Sequence, residues 1–534
     1  ERSLLSWLDG LGWETHGQDG GRGANTLDEA YGRDSHEVIY WELLAEQVVE
    51  LNEDVTEDNV DKFVSSLRRD LDAENLMDGN RAFYQLLTKG KTFSAQDENG
   101  ENETVYVDLI DYETPENNRF HAANQFSVSR ETTIRPDVNL FVNGIPLVTM
   151  ELKSLAQDND WHDAVSDLKN YEDDVPRLFN IAADTMELRY GAVGAPKEFY
   201  EPWNVDADQS DDGNPMQQAV TALCNPDTIL DLLKHFVFFE RRAGGDAKIV
   251  PRYMQYYAVN QILDRVREGV HDRGLIWHTQ GSGKSFTMLY AAENLLSRPE
   301  VAKNPQVFII VDTDKLNSQM RDQLANLSLE RWTKAESIDH LQQLIEEGSS
   351  QLVLTTIQKF ENVDPDTQGN DEVIVMSDEA HRFMEADLGS RLKAALPDCT
   401  HFGFTGTPVR EGEREKDKNT FREFSPERED YLHRYSVKQG IDDGLILPVY
   451  FTLRHEMEWE IDEAGLDEEF EHEFRGLTTD EKREAIRENV TATTLAEIEP
   501  RVDRAVEEID THYNEHVAPN GWKGMVVTPS RRSA

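Results

Sequence analysis

The chain has little of what would place it outside a reducing, aqueous compartment. Its two cysteines, Cys224 and Cys399, cannot build a disulfide framework, and their wide separation is no zinc-ligand pattern. No apolar run reaches the roughly 18 residues a membrane-spanning helix needs. A charged-then-apolar leader and an initial Met are both missing, so a secretory address is not expected and a cytoplasmic location is. There is no internal repeat. Basic residues are scarce, with 54 Lys plus Arg against 104 Asp plus Glu and a formal net charge of −50. Such a surface repels a polyanion in dilute buffer. The acids are spread along the chain instead of gathering in a tail, and Arg outnumbers Lys by 35 to 19. That pattern reads as adaptation to molar salt, where the Debye length falls to about 3 Å, and a halophilic source is expected. On charge alone, an ordinary acidic protein without a nucleic-acid role is the competing reading.

A length of 534 residues exceeds one core and calls for several domains. Residues 1–240 open with helical stripes at Val38, Leu43, Leu44, Val48 and Val49, then at Phe63, Leu67 and Leu71. Strands are expected at Thr104–Ile110, Gln125–Ser129, Val138–Val142 and, past an Asn143-Gly144 turn, Pro146–Leu152. Residues 241–248, with Gly244-Gly245, read as a linker. From 249 to 448, apolar strands at Leu275–Trp277, Val307–Val311, Leu352–Thr355, Val373–Met376 and His401–Phe404 alternate with helical patterns, the mark of a parallel α/β sheet. Residues 449–534 are acidic and helical, with Val502, Val506, Ile509 and Tyr513 on one face and a last strand expected at Gly524–Thr528.

The strongest chemistry lies in Thr279-Gln280-Gly281-Ser282-Gly283-Lys284-Ser285, placed between a strand and a helical pattern. Backbone N–H groups of such a loop close around phosphate oxygens at a helix N-terminus. Lys284 would reach the β- and γ-phosphates of ATP, and Ser285 would offer its hydroxyl to Mg²⁺. His278 stands where the general pattern has its first glycine. Asp378-Glu379-Ala380-His381 ends a later apolar strand, with Asp378 placed to hold Mg²⁺ and Glu379 to polarise the attacking water. Thr405-Gly406-Thr407 follows another strand, where nucleotide state could be relayed. In order and spacing these segments resemble a superfamily 2 helicase or translocase. That resemblance implies that Gln255 reads adenine.

A second constellation precedes the first. Glu151 and Lys153 are two apart, so on a strand they share a face. The Asn143-Gly144 turn would fold Asp137 back beside them. Asp137 and Glu151 would then bind Mg²⁺ while Lys153 positions or activates water at phosphorus.

Taken together, Arg135-Pro136-Asp137, Asn143-Gly144-Ile145-Pro146-Leu147, Glu151-Leu152-Lys153 and Trp277–Ser285 resemble the restriction (R) subunit of type I restriction-modification enzymes. His278 is usual at its position in that family. The resemblance implies a PD-(D/E)xK endonuclease fold followed by RecA-like superfamily 2 motor domains. It implies ATP-dependent translocation of double-stranded DNA coupled to its cleavage, with methyltransferase (M) and specificity (S) subunits as partners. The family's QxxxY motif falls on Asp167–Tyr171, so Tyr171 keeps a supporting role while Asp167 departs from the expected Gln. The chain reads as an N-terminal fragment that enters a second RecA-like domain, and poor ATP turnover is expected of it alone. A stand-alone helicase-nuclease of repair or defence, and an inactive DNA-binding scaffold, are the alternatives.

Overall fold

The computed structural model describes residues 1–16, 26–71, 75–96, 102–130, 132–154, 159–172, 177–205, 213–327, 329–365, 367, 369–381, 388–409, 420–426, 430–450, 499–528 and 530. The backbone forms two compact units, 1–447 and 448–534. The first unit contains two seven-stranded sheets.

In the first sheet β1 (Glu14–His16), β2 (Phe120–Asn124), β3 (Val138–Val142), β4 (Ile145–Leu152), β5 (Phe179–Ala183), β6 (Leu188–Ala192) and β7 (Glu201–Pro202) lie side by side in chain order. Helix α1 (Arg2–Gly10) precedes β1. The β1–β2 and β4–β5 pairs are parallel and the other pairs antiparallel. A parallel pair needs a crossover, and helix α2 (Trp161–Asn170) lies on the one from β4 to β5. Residues Ile145–Glu151 of β4 are all buried, which explains their near-continuous apolar run: both faces of this central strand are covered. The expected Asn143-Gly144 turn is present, with φ of 52° and 81° at its two residues. Two successive left-handed residues match the twist of an antiparallel hairpin. The Asn143 amide also donates to the carbonyl oxygen of Leu109 and to Asn118 Oδ1, each at 2.9 Å, pinning the turn inward.

The second sheet contains β8 (Arg273–His278), β9 (Gln306–Val311), β10 (Trp332–Lys334), β11 (Leu352–Thr356), β12 (Val373–Ser377), β13 (Thr400–Thr405) and β14 (His433–Tyr435). Their order is β10-β11-β9-β12-β13-β8-β14, and every pairing is parallel. Helix α3 (Tyr253–Glu268) leads into this sheet and helix α4 (Lys284–Ser297) follows β8. Parallel strands bring their carboxyl ends to one edge, where ligands bind in open α/β sheets.

Four segments differ from expectation. Residues 125–129 are not one strand: Gln125 turns the chain at φ 53°, and only Val128–Ser129 pairs, with Thr133–Ile134. The strand expected at 104–110 is Asn102–Val107, in a separate hairpin with Lys91–Gln96. The stretch read as a linker turns a short hairpin of Phe238–Glu240 with Ala247–Ile249. Lys248 of that hairpin is buried, and its ammonium donates to the carbonyl oxygen of Arg177 at 2.8 Å, so apolar packing overrode the Gly-Gly signal. In the second unit, helix α5 (Glu499–His512) carries Val506 and Ile509, both exposed. Gly524–Thr528 is not a strand, because no neighbour among the described residues offers the ladder that β pairing requires. The acidic stretch 451–498 lies outside the described residues.

Candidate active sites

The hairpin of β3 and β4 assembles the first site. Asp137 sits just before β3, and its Oδ2 accepts the Leu152 N–H at 2.8 Å, tying the two strand ends together. Glu151 Oε1 accepts from Lys153 Nζ at 2.8 Å. Lys153 Nζ also donates to Asp167 Oδ2 of α2 at 2.5 Å. The three residues expected to converge do so, with Asp167 as a fourth. Burial, then the charge of Asp137, pushes the Glu151 carboxyl up to about 7. Burial opposes the Lys153 ammonium, but hydrogen bonds to Asp167 and Glu151 outweigh it and hold its pKa above the ordinary lysine value. Tyr171 caps the end of α2 beside this cluster. Its hydroxyl is pushed up to about 12 by burial and by the charges of Glu151 and Asp167.

Two contributors had no readable signal in the sequence. Gln125 donates to Asp137 Oδ1 at 3.2 Å and to Glu1 Oε1 at 3.1 Å, and receives Arg135 Nε at 2.5 Å. Glu1 itself lies against Asp137, and burial followed by that contact raises its pKa. Gln125 is placed by an irregular turn and Glu1 by the start of α1, neither of which leaves a spacing to read. Asp167 did leave one, through the departure from Gln.

The second site lies at the carboxyl edge of the parallel sheet. Residues Thr279–Gly283 join β8 to α4, and Gly283 caps the helix at φ 85°. A Cβ on Gly283 would lie 2.6 Å from Gln255 Nε2, so only glycine admits that approach. Gln255 donates to the carbonyl oxygens of Ser282 and Gly283, at 3.3 and 3.0 Å, while its own oxygen accepts the Arg252 N–H at 2.8 Å. The Ser282 hydroxyl donates to the Thr279 carbonyl at 2.6 Å. His278 is buried, with Nε2 2.7 Å from His433 Nδ1. A glycine is usual at that position, and here the imidazole instead fastens β8 to β14.

Asp378 and Glu379 follow directly on β12. Burial, then the charge of Glu379, lifts Asp378 to about 6 against the pull of Lys284. Glu379 holds φ 50°, a left-handed conformation costly for a side chain of its size. Its Oε2 is buried without a hydrogen-bond partner among the described residues. His381 Nδ1 lies 3.0 Å from Thr405 Oγ1, and that oxygen accepts the Thr407 N–H at 3.1 Å. Gly406 faces the loop: a Cβ there would meet Gln280 at 3.1 Å and Lys284 Nζ at 3.3 Å. Ser285, half-buried, begins α4 beside Lys284. A cleft of about 530 Å³ is lined by Arg252, Gln255, Gly283 and Phe286, together with Tyr190 and Glu201 of the first sheet, and Arg252 donates to Glu201 Oε1 at 3.0 Å.

Comparisons with known proteins follow this division. Residues 1–199 match the family model of the type I restriction enzyme R protein N terminus, and residues 254–483 match that of the SWI2/SNF2 ATPase. The type I restriction enzyme HindI endonuclease subunit of Haemophilus influenzae is 32% identical over 84% of this chain and 45% of its own length. A Methanocaldococcus jannaschii protein, provisionally named type I restriction enzyme MjaIXP endonuclease subunit, is 29% identical over 85% of this chain and 46% of its own. The chain therefore spans about half the length of the curated relatives it matches. No helix among the described residues is long and apolar enough to cross a membrane. With the R-protein model at its start, an ATPase model behind it and relatives of one description along most of its length, the chain belongs to the family of type I restriction enzyme endonuclease subunits.

Proposed function

We propose that the chain carries the nuclease and the motor of a type I restriction enzyme: ATP-driven translocation of double-stranded DNA coupled to Mg²⁺-dependent cleavage of both strands. In this reading residues 1–240 form a PD-(D/E)xK-type nuclease and residues 249–448 the first RecA-like motor domain. The observation that carries it is the meeting of Asp137, Glu151 and Lys153 on one hairpin, in the same compact unit as the phosphate loop and Asp378-Glu379.

The donor sets fit hard divalent cations. Glu151 Oε2 is a buried carboxylate oxygen with no hydrogen-bond partner among the described residues, on a carboxyl whose pKa is raised by burial and then by Asp137, and oxygen ligands of this kind suit Mg²⁺. At the second site Asp378 is a buried carboxylate that, among the described residues, accepts only the Glu379 N–H, at 3.0 Å on Oδ1, and with the Ser285 hydroxyl it would offer oxygen ligands of the same kind. Bound Mg²⁺ would supply Lewis-acid stabilisation of charge at phosphorus.

The remaining roles fall to the side chains. Lys153, held between Glu151 and Asp167, is fixed as a cationic donor toward a water or a phosphate oxygen. Tyr171, within electrostatic reach of this pair at the end of α2, supports it. In the motor the N–H groups of residues 281–285 receive phosphate oxygens, Lys284 neutralises the terminal phosphates, and Glu379 orients the hydrolytic water and takes its proton. The cleft beside Gln255 and Arg252 has the size of a nucleotide-base pocket. Thr405-Gly406-Thr407, linked to His381, passes nucleotide state onward.

A methyltransferase subunit and a specificity subunit complete the assembly in this reading. The test is capture of the full-length protein from its host in molar KCl, with co-purifying proteins identified by mass. Both partners are expected. Their absence, with the bait folded, would overturn the type I assignment in favour of a stand-alone helicase-nuclease.

A further inference from the structure

The outer edge of the first sheet holds a cluster that neither proposed activity uses. Strand β1 runs parallel to β2, and the register sets Glu14 opposite His121. Side chains two apart on a strand share a face, so His16 joins them there. The phosphate-cleaving cluster is distant: His121 pairs with Phe141 of β3, four residues beyond Asp137, which is roughly 13 Å at the usual rise per strand residue.

His16 Nε2 and His121 Nδ1 are 2.9 Å apart. Glu14 Oε1 lies 3.5 Å from His16 Nε2, and Glu14 Oε2 lies 3.7 Å from His121 Nδ1. The two carboxylate separations are too long for good hydrogen bonds. They suit shared ligation, since tetrahedral Zn²⁺ with bonds near 2.0–2.1 Å keeps its donors about 3.3 Å apart. The observed separations bracket that value. His16 Nδ1 is 3.2 Å from Thr26 Oγ1, an outer contact of the kind that fixes the tautomer of a ligating histidine and turns the Nε2 lone pair toward His121, whose hydrogen bond to it a metal would replace. Both rings are buried and Glu14 is exposed, so the fourth position would open to solvent. Burial lowers the pKa of both imidazoles, that of His121 to about 4, which leaves them neutral donors at neutral pH.

We infer that Glu14, His16 and His121 form a binding site for a transition-metal dication of the Zn²⁺ type. Imidazole donors favour such an ion over Mg²⁺. Strand β1 is held to β2 by a three-residue ladder, and the metal would clip it, with the α1 segment before it, to the sheet.

Cobalt(II) reads the site directly, because its visible bands report coordination by nitrogen and oxygen. The chain should carry Asp137→Asn and Glu151→Gln to silence the other carboxylates. Excess Mg²⁺ and molar KCl would suppress loose binding to the acidic surface. We expect one tightly held Co²⁺ per chain with intense visible bands, displaced by Zn²⁺, and a higher thermal midpoint with either ion. Thr26→Val should weaken binding roughly 10- to 100-fold. His121→Ala should abolish it. Should His121→Ala fail to fold, Glu14→Gln, altered only at an exposed carboxylate, decides the matter by a loss of at least about 10-fold. Absence of the bands in the parent, or affinity unchanged in Glu14→Gln, would overturn the assignment.

Discussion

In the first sheet the candidate site groups come from strands joined by a two-residue turn and from the helix beyond them, and they meet as pairs: Asp137 on the Leu152 N–H, Glu151 on Lys153, Lys153 on Asp167. In the second sheet they come from the ends of separate parallel strands. Glu379 Oε2 has no hydrogen-bond partner there among the described residues, only His381 Nδ1 at 3.5 Å, and the Glu379 backbone is held at φ 50°. A site built on a hairpin is largely pre-organised by its own hydrogen bonds. Each site keeps one buried carboxylate oxygen without a hydrogen bond among the described residues, Glu151 Oε2 and Glu379 Oε2, but the site on the sheet edge adds backbone strain at the carboxylate itself, which a bound nucleotide can relieve.

Removing the central cation of the less self-paired site should have the largest effect. Lys284→Ala is expected to lower ATP turnover of the complete enzyme by about 100-fold or more, and ATP-dependent cleavage with it. Steady-state phosphate release checks this, and turnover within a few-fold of the parent would contradict it.

A smaller effect is expected from loosening the self-paired site. Asp167→Ala removes one of the two carboxylates holding Lys153 and should slow cleavage about 10- to 100-fold with ATP turnover unchanged. Asp167→Gln, which restores a hydrogen-bond acceptor, should recover most of the rate. A cleavage time course for the two variants distinguishes orientation of Lys153 from a merely structural role.

The smallest effect concerns stability. Burial and Asp137 raise folded Glu151 from 4.5 to about 7. Protonation therefore favours the fold: the contribution is fully present below pH 4.5 and is lost as pH rises through about 7. Without divalent metal, Glu151→Gln should gain on the parent by about 3 kcal/mol above that window and by nothing below it. Urea unfolding across the pH range measures the difference, and a gain independent of pH would contradict the cause given.

The contrast between sheets also explains what could be read in advance. The Asn143-Gly144 turn, the Glu151–Lys153 spacing and the Thr279–Ser285 loop are local signals, and local geometry sufficed to place them. Gln125 and Glu1 reach Asp137 through tertiary packing, which leaves no period in the sequence. Gly244-Gly245 reads as a tether, but the buried Lys248 and its contact with the Arg177 carbonyl turn that stretch into a packed hairpin. The Gly524–Thr528 run has strand composition without a described neighbour to pair with. Asp167 was visible as an oddity, and its meaning came only with its bond to Lys153.

The central claim is that one subunit holds two separable phosphoryl-transfer sites. Lys153→Ala in the complete enzyme, assayed at once for ATP turnover and for cleavage of plasmid carrying the recognition site, tests it most directly. The account predicts ATP turnover at the parent level with cleavage lost. A variant that still cuts, or one that loses ATP turnover together with cutting, would contradict it.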